Sequence, residues 1–166
     1  MAMTTQPNPY AADLGNRDAR DAMGETPEQI RRAVEGWTAA DFERTYAPGK
    51  WTIRVVLIHL AQTELALTTR VRFALSQPNY AAQAFAQDDW IGIDAEADAR
   101  TALDAYTALR RFNLAMFRAL TPEQRNRPFS HPEYGSLTVE WVVNQLAGHD
   151  IHHLRQIATI ANHSNR

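Results

Sequence analysis

Three histidines are the residues of this sequence whose type and spacing could do chemistry. His149 and His153 are four residues apart in one predicted helix, so their imidazoles lie one turn apart on the same face. Two such rings can close on one metal ion, and His59, from a second predicted helix, could supply a third nitrogen. Three protein ligands leave coordination positions open for water or substrate, the arrangement of a catalytic metal. The spacing therefore indicates a metal site at His59, His149 and His153.

The same pattern is also compatible with a site that holds no metal. Both rings of the pair interrupt an apolar helix face, and a buried polar group costs free energy unless it is satisfied. A metal ion would satisfy the rings, but buried hydrogen bonds would do so too, and a single inward histidine is more often an ordinary core residue. If a metal binds, three neutral imidazoles favour Zn, Ni, Cu or Fe over Mg or Ca. The HExxH motif of zinc proteases has this spacing, but its glutamate is missing here.

Other polar and aromatic residues lie near these histidines in the sequence. Asp150 is expected to turn away from the pair, and His152 to lie on the flank, beside the ligands or in solvent. His131 is in a predicted loop, from which it could reach the mouth of the site, although a turn histidine is usually exposed. Trp90, in the connection 78–95, is expected either to form a pocket wall or to plug the core.

Composition and charge narrow the class of protein. The chain has 166 residues, enough for one domain with a full core, and a net charge of −2, which argues against a nucleic-acid-binding surface. It has no cysteine, which excludes disulfides, thiolate ligands and a cysteine nucleophile. The N-terminus has no apolar signal-peptide region, and no stretch is long and apolar enough to span a membrane. We therefore expect a cytoplasmic protein that binds neither nucleic acid nor membrane.

Apolar residues at spacings of three and four predict an all-α protein. Residues 1–24 are expected to form an extended N-terminal lead-in, and residues 25–166 one helical domain. Thr26 and Pro27 resemble a helix start, with Gln29 at the capping-box position. Three long helices are predicted over residues 51–76, 95–120 and 138–161, the first capped by Thr52. Three long helices and one shorter one, with a long crossover, predict a four-helix bundle.

Several segments together resemble the DinB/YfiT-like family of small metal-binding helical bundles. The segments that carry the resemblance are residues 49–54 (GKWTIR), 59–61 (HLA), 70–73 (RVRF), 88–90 (DDW), 121–124 (TPEQ), 131–133 (HPE) with Gly135, and 149–157 (HDIHHLRQI). Their order and spacing cover residues 25–160, and within the family the chain is most similar to the bacillithiol-transferase branch. Family members often carry glutamate where this chain has Val55, a change that weakens a helix cap and leaves the metal site untouched.

The resemblance implies an up-down-down-up bundle, often a homodimer, and a metal held by three histidines. The motif positions place those ligands at His59, His149 and His153. A divalent transition metal, Zn or Ni, is the implied cofactor, with a low-molecular-weight thiol as a co-substrate. Enzymes of this branch transfer such a thiol to an electrophile, and older descriptions call the same proteins metal-dependent hydrolases.

The sequence is therefore compatible with three functions. The first is a metal-dependent transferase that activates a thiol and passes it to a small electrophilic substrate, with Arg54, Arg70, Arg72 and Arg155 as either carboxylate-binding or surface charges. The second is a hydrolase that uses metal-bound water, for which Glu64 is the only nearby carboxylate on the His59 helix. The third is a non-catalytic metal-binding stress protein. No catalytic residue is assigned.

Overall fold

Four long helices carry most of residues 6–163, which are the residues that the computed structural model describes. In chain order the elements are α1 (Ala11–Leu14), α2 (Ala19–Ala33), α3 (Ala39–Phe42), α4 (Ile53–Ser76), α5 (Gln87–Ile93), α6 (Ala99–Ala119), α7 (Pro122–Arg125), β1 (Pro128–His131), β2 (Gly135–Thr138) and α8 (Val139–His163). The three long helices predicted from periodicity are confirmed to within a few residues at each end. The Thr52 cap is confirmed as well, because its side chain accepts a hydrogen bond from the backbone N–H of Val55 at 3.3 Å.

Side-chain contacts at the two ends of α4 give its direction relative to α6. Near the start of α4, Arg54 donates to the carbonyl of Ala95, just before α6, at 2.7 Å. Near the end of α4, Arg72 donates to Asn113, near the end of α6, also at 2.7 Å. The two helices therefore run parallel, which requires the long crossover between them.

Helix α2 packs against α6 and α8, the two helices that also contact α4. Arg20, at the start of α2, donates to the carbonyl of Phe117 at the end of α6 at 2.9 Å, so this pair is antiparallel. The same side chain forms an ion pair of 2.7 Å with Glu140 at the start of α8, so α2 and α8 are parallel. The predicted all-α, up-down-down-up four-helix bundle is confirmed.

Two apolar clusters fill the interior of the bundle. One surrounds Met23, Phe117 and Leu146, and the other surrounds Leu57 and Ile157; all five side chains are almost fully buried. Burying side chains of this size stabilises the fold by roughly 1.5–3 kcal/mol each. No described helix has an apolar stretch of the length needed to cross a membrane.

The helix start predicted at Thr26 is wrong. Helix α2 begins at Ala19, where the Asp18 side chain accepts two backbone N–H groups, and Pro27 lies inside it. The Thr26 hydroxyl donates to the carbonyl of Ala22 at 2.6 Å. Proline has no N–H to offer the preceding turn, and the carbonyl of Met23 accepts from a guanidinium of α6 instead. A side chain distant in sequence therefore helps the helix to tolerate this proline.

The prediction that residues 1–24 form an extended lead-in is also wrong for the part of this segment that the structure describes. Residues 11–14 form α1, which packs against α8, and residues 19–24 are the first turns of α2. Residues 1–5 of the lead-in and residues 164–166 of the predicted domain lie outside the described part of the chain.

A β-hairpin replaces the loop predicted around His131. Strands β1 and β2 are antiparallel and pair Phe129 with Leu137, both of which are buried. The connection from α4 to α6 joins the hairpin through a bridge between Ala81 and Ser130, and it contains helix α5. The hairpin and this connection are thereby held next to each other over one side of the bundle.

Candidate metal centre

The structure brings the three predicted ligands together in the middle of the bundle. His59 lies on the second turn of α4, and His149 and His153 lie one turn apart on α8. The Nε2 atom of His149 is 2.9 Å from that of His59 and 3.1 Å from that of His153. All three side chains are buried, and their ligand atoms lie within 4.8 Å of one another.

Burial keeps the imidazoles of His59 and His153 neutral. Loss of solvation, followed by repulsion from the other two rings, lowers the pKa of His59 to about 2. Burial, followed by electrostatic repulsion from the neighbouring His149 ring, lowers the pKa of His153 to about 3. A neutral imidazole is the form that binds a metal ion, so both rings are in that form at neutral pH.

The donor set fits a divalent transition metal. The converging atoms are imidazole nitrogens, which suit Zn, Ni, Cu and Fe. Two buried ring atoms, His59 Nδ1 and His149 Nδ1, have no hydrogen-bond partner among the described residues. Hydrogen bonds within the protein therefore leave these rings incompletely satisfied. The Nε2 atoms of the three histidines lie close together, and a metal ion bound between them would accept their lone pairs.

Neighbouring side chains fix the ring orientations. Gln156 Oε1 lies 2.8 Å from His153 Nδ1, so the amide oxygen can accept the Nδ1–H and leave the Nε2 lone pair facing the other rings. The Trp51 ring lies 4.9 Å from the His59 ring, and the Tyr10 ring lies edge-on at 5.1 Å from the His149 ring. The ligands are thus held before any ion binds.

Gln156→Leu should weaken metal binding by about 10–100-fold, because the variant loses the acceptor that orients His153. The measurement is competition for Zn²⁺ with a chromophoric chelator. Gln156→Glu keeps an acceptor at the same place and should bind metal at least as well as the wild type. A Gln156→Leu protein with wild-type metal affinity would show that this hydrogen bond has no orienting role.

A buried ionic layer lies directly beside the histidines. Arg110 forms an ion pair with Glu64 at 2.6 Å and another with Asp150. Asn113 donates to the second oxygen of Glu64 at 2.7 Å, and Tyr106 donates to Asp150 at 2.9 Å. Burial opposes ionisation of Asp150, but the Arg110 guanidinium and the adjacent His149 ring together outweigh it and lower the pKa of this carboxyl. The carboxylates of Glu64 and Asp150 are therefore held in buried ion pairs that link α4, α6 and α8.

This layer changes the expectations for Glu64 and Asp150. Glu64, the carboxylate named for a hydrolytic mechanism, is bound by Arg110 and Asn113 and is not free to act as a base. Asp150 was expected to turn away from the histidine pair, but it is 1% exposed and its Oδ1 atom lies 3.7 Å from His149 Nδ1, so that expectation is wrong.

A pocket of about 230 Å³ opens onto His59 and His149. The hairpin contributes His131, Glu133 and Tyr134 to its wall; other residues of the wall are Tyr10, Arg70, Phe85, Gln87 and Gln145. Arg70 and His131 were named from the sequence. Most of the others were missed because they come from the N-terminal segment, the hairpin and the crossover, which have no helical periodicity, whereas Gln145 is an ordinary polar residue of α8. The HPE segment was the one signal that pointed to the hairpin.

His131 reaches the site, but the exposure expected for it is wrong. It lies in β1, is 5% exposed, and its Nδ1 atom accepts the backbone N–H of Glu133 at 3.2 Å. Burial, followed by the charge of Arg70, lowers the pKa of the His131 ring. The ring is therefore a neutral component of the pocket wall.

His152 and Trp90 lie outside the site pocket. The His152 side chain is 52% exposed and lies 3.6 Å from Asp13. The Trp90 ring contacts Phe85 at 5.0 Å between centroids, while its carbonyl accepts from Gln62 at 2.6 Å. Trp90 therefore supports the pocket wall through Phe85.

Of the four arginines named from the sequence, Arg70 lines the pocket. Arg54 and Arg155 form ion pairs with carboxylates outside it, and Arg72 donates to Asn113. A guanidinium in the wall favours substrates that carry a negative charge.

Comparisons with known proteins agree with these observations. The family model described as the DinB superfamily matches residues 22–157. A protein of Oceanobacillus iheyensis, named provisionally as a metal-dependent hydrolase, is 26% identical over 135 residues, which cover 81% of this chain and 78% of the relative. YfiT from Bacillus subtilis, named in the same way, is 27% identical over 142 residues, which cover 84% of this chain and 80% of YfiT.

Solved structures share the fold. The YfiT structure, described as a four-helix bundle of unusual topology, has a TM-score of 0.81 and 26% identity, and covers 89% of this chain and 86% of YfiT. A mycothiol-dependent maleylpyruvate isomerase has a TM-score of 0.66 and 12% identity, and covers 88% of this chain and 62% of the isomerase. At this identity the second similarity shows a common fold.

Proposed function

This chain belongs to the DinB superfamily, and we propose that it transfers a low-molecular-weight thiol to an electrophilic substrate at a metal held by His59, His149 and His153. The observation that carries the proposal is the convergence of the three buried Nε2 atoms next to a pocket. Three protein ligands leave open positions for small molecules, which is the coordination of a catalytic ion.

A divalent transition metal such as Zn or Ni, when bound there, would act as a Lewis acid that lowers the pKa of a thiol or a water. The protein's own residues do the rest. His59 and His153 present neutral nitrogens. Arg70 places a positive charge in the pocket wall, which favours thiolates and other anions. One protein with this fold is named as mycothiol-dependent, so the fold is compatible with a reaction that uses a small thiol.

Hydrolysis is the second candidate, because the curated relatives are named provisionally as metal-dependent hydrolases. The structure removes Glu64 as its base but places Glu133, an exposed carboxylate of the hairpin, in the pocket wall. A base at this position could take a proton from an attacking water. The two candidates therefore differ in the nucleophile and use the same three histidines.

The deciding experiment gives the metal-loaded protein a choice of nucleophile. We expect glutathione, bacillithiol or mycothiol to react with monochlorobimane faster in the presence of the protein, and the acceleration to be lost in His153→Ala. The measurement is bimane fluorescence over time, corrected for the uncatalysed reaction. His152→Ala, at an exposed position next to His153 and outside the pocket, is the matched control and should keep the full rate.

Parallel assays measure hydrolysis of a panel of esters and amides in the absence of any thiol. Hydrolysis there, without any acceleration of thiol transfer, would replace the proposal by the hydrolase. A metal-loaded protein that accelerates neither reaction would support the non-catalytic metal-binding protein. The small-molecule substrate, the homodimer and the cytoplasmic location stay predictions that accompany the proposed function.

A further inference from the structure

A second cavity lies beside the metal-centre pocket, and no function described above uses it. Its volume is about 640 Å³, within the range of small-molecule sites. Its lining is mostly apolar and comes from α4 and from the crossover; its largest apolar side chains are Leu65, Phe73, Tyr80, Phe85 and Trp90. We call it the crossover cavity.

The crossover cavity adjoins the metal-centre pocket through two shared residues, Arg70 and Phe85. The Phe85 ring is parallel to the His59 ring, with 6.3 Å between centroids and an angle of 5° between planes. It is nearly perpendicular to the Trp90 ring. Arg70 is at the same junction. A molecule in the crossover cavity would therefore place one end next to the three histidines.

The positive charge of Arg70, at the junction, has no carboxylate within ion-pair distance among the described residues. Within residues 6–163, Arg70 makes one hydrogen bond, to the carbonyl of Gln83 at 2.7 Å, and no ion pair. Glu133 acts on it only through a longer-range charge interaction. Burial lowers the pKa of the Arg70 guanidinium, so the cation has lost solvation without gaining a carboxylate.

Two large apolar side chains in the wall of the crossover cavity are exposed. Leu65 is 45% exposed and Phe73 is 41% exposed, although both are large apolar side chains on the same helix. A concave apolar surface that ends in an unpaired cation is complementary to a molecule with an apolar body and one anionic group.

We propose that the crossover cavity binds the electrophilic substrate, and that this substrate is an aromatic or alkyl compound with a carboxylate or similar anion that binds Arg70. This inference rests on the proposed function because it takes the bound molecule to be the substrate of that reaction. Binding in the cavity itself needs no metal. The apolar body lies along Leu65 and Phe73, and the anion lies at the junction with the histidine pocket.

The test uses 4-phenylbutyrate and its neutral amide as probes of the metal-loaded protein, with binding measured by calorimetry. We expect the carboxylate to bind, and the amide to bind at least about tenfold more weakly, the contribution of one charge-assisted hydrogen bond. Arg70→Gln should weaken carboxylate binding by the same factor. Arg111→Gln, an exposed arginine of α6, is the matched control and should bind like the wild type.

Binding of the carboxylate to metal-free His153→Ala separates the cavity from the ion and should be retained. Each of three results would overturn the proposal. They are equal affinities for the carboxylate and the amide, an Arg70→Gln variant that binds the carboxylate normally, and a metal-free protein that no longer binds the carboxylate. A wild-type dimer that binds neither probe and becomes a monomer in Leu65→Asp would overturn it in favour of a second copy of the chain. Probe binding without thiol transfer would refute the proposed function and leave the anion-binding cavity in place.

Discussion

Replacement of Arg110 by methionine should lower the free energy of unfolding by about 3–5 kcal/mol, the cost of leaving buried charges unpaired. The guanidinium is 1% exposed and forms ion pairs with Glu64 and Asp150, which are buried as deeply. Methionine fills a similar volume but leaves two carboxylates without a cation. The measurement is chemical denaturation followed by circular dichroism.

Arg111 supplies the matched control because it is the next residue of α6 and is exposed. Arg111→Met should change the free energy of unfolding by less than about 0.5 kcal/mol, as is usual for surface substitutions. Arg110→Met with the stability of Arg111→Met would show that the ionic layer does not hold α4, α6 and α8 together.

Gly148→Val should destabilise the protein by about 2–3 kcal/mol through overpacking. Helix α8 passes so close to the N-terminal segment that a Cβ atom at Gly148 would overlap the backbone carbonyl of Tyr10 and lie 2.7 Å from the Tyr10 Cβ atom. The obstacle includes backbone, which moves less easily than the end of a side chain. Chemical denaturation measures the loss, and hydrogen exchange over residues 8–14 should show lower protection.

Gly92→Val is the control for the loss of a helical glycine, because a Cβ atom at Gly92 meets nothing within 4 Å. Its stability should stay within about 0.5 kcal/mol of the wild type. Gly148→Val with unchanged stability and unchanged exchange would mean that the N-terminal segment is not held against α8.

Local sequence patterns were sufficient for the long helices and for the pairing of His149 with His153, whereas the resemblance to the DinB/YfiT-like family was needed to place His59 with them. Apolar spacings of three and four identified α4, α6 and α8, since each buries one continuous face. The i, i+4 spacing put His149 and His153 on one face. The apolar stripe of α4 indicated only that His59 could point inward, because a stripe does not tell which residues of the other helices it meets.

Contacts between distant residues explain what the sequence did not show. Pro27 looked like a helix start because no local signal reveals that Arg110 approaches the carbonyl of Met23. Glu64 looked like a free carboxylate because its partners, Arg110 and Asn113, lie more than forty residues away. Hairpin strands of four residues are too short for a clear alternation of apolar and polar residues.

Metal content measured on matched variants tests the central claim most directly. Wild type, His59→Ala, His149→Ala, His153→Ala and His152→Ala are loaded with Zn²⁺ or Ni²⁺, freed of unbound ion, checked for folding by circular dichroism and analysed by mass spectrometry. We expect about one ion per chain for the wild type and His152→Ala, and strongly reduced content in the other three, since each lacks one of three ligands. Equal metal content in all five proteins would contradict the assignment of His59, His149 and His153 as the metal ligands.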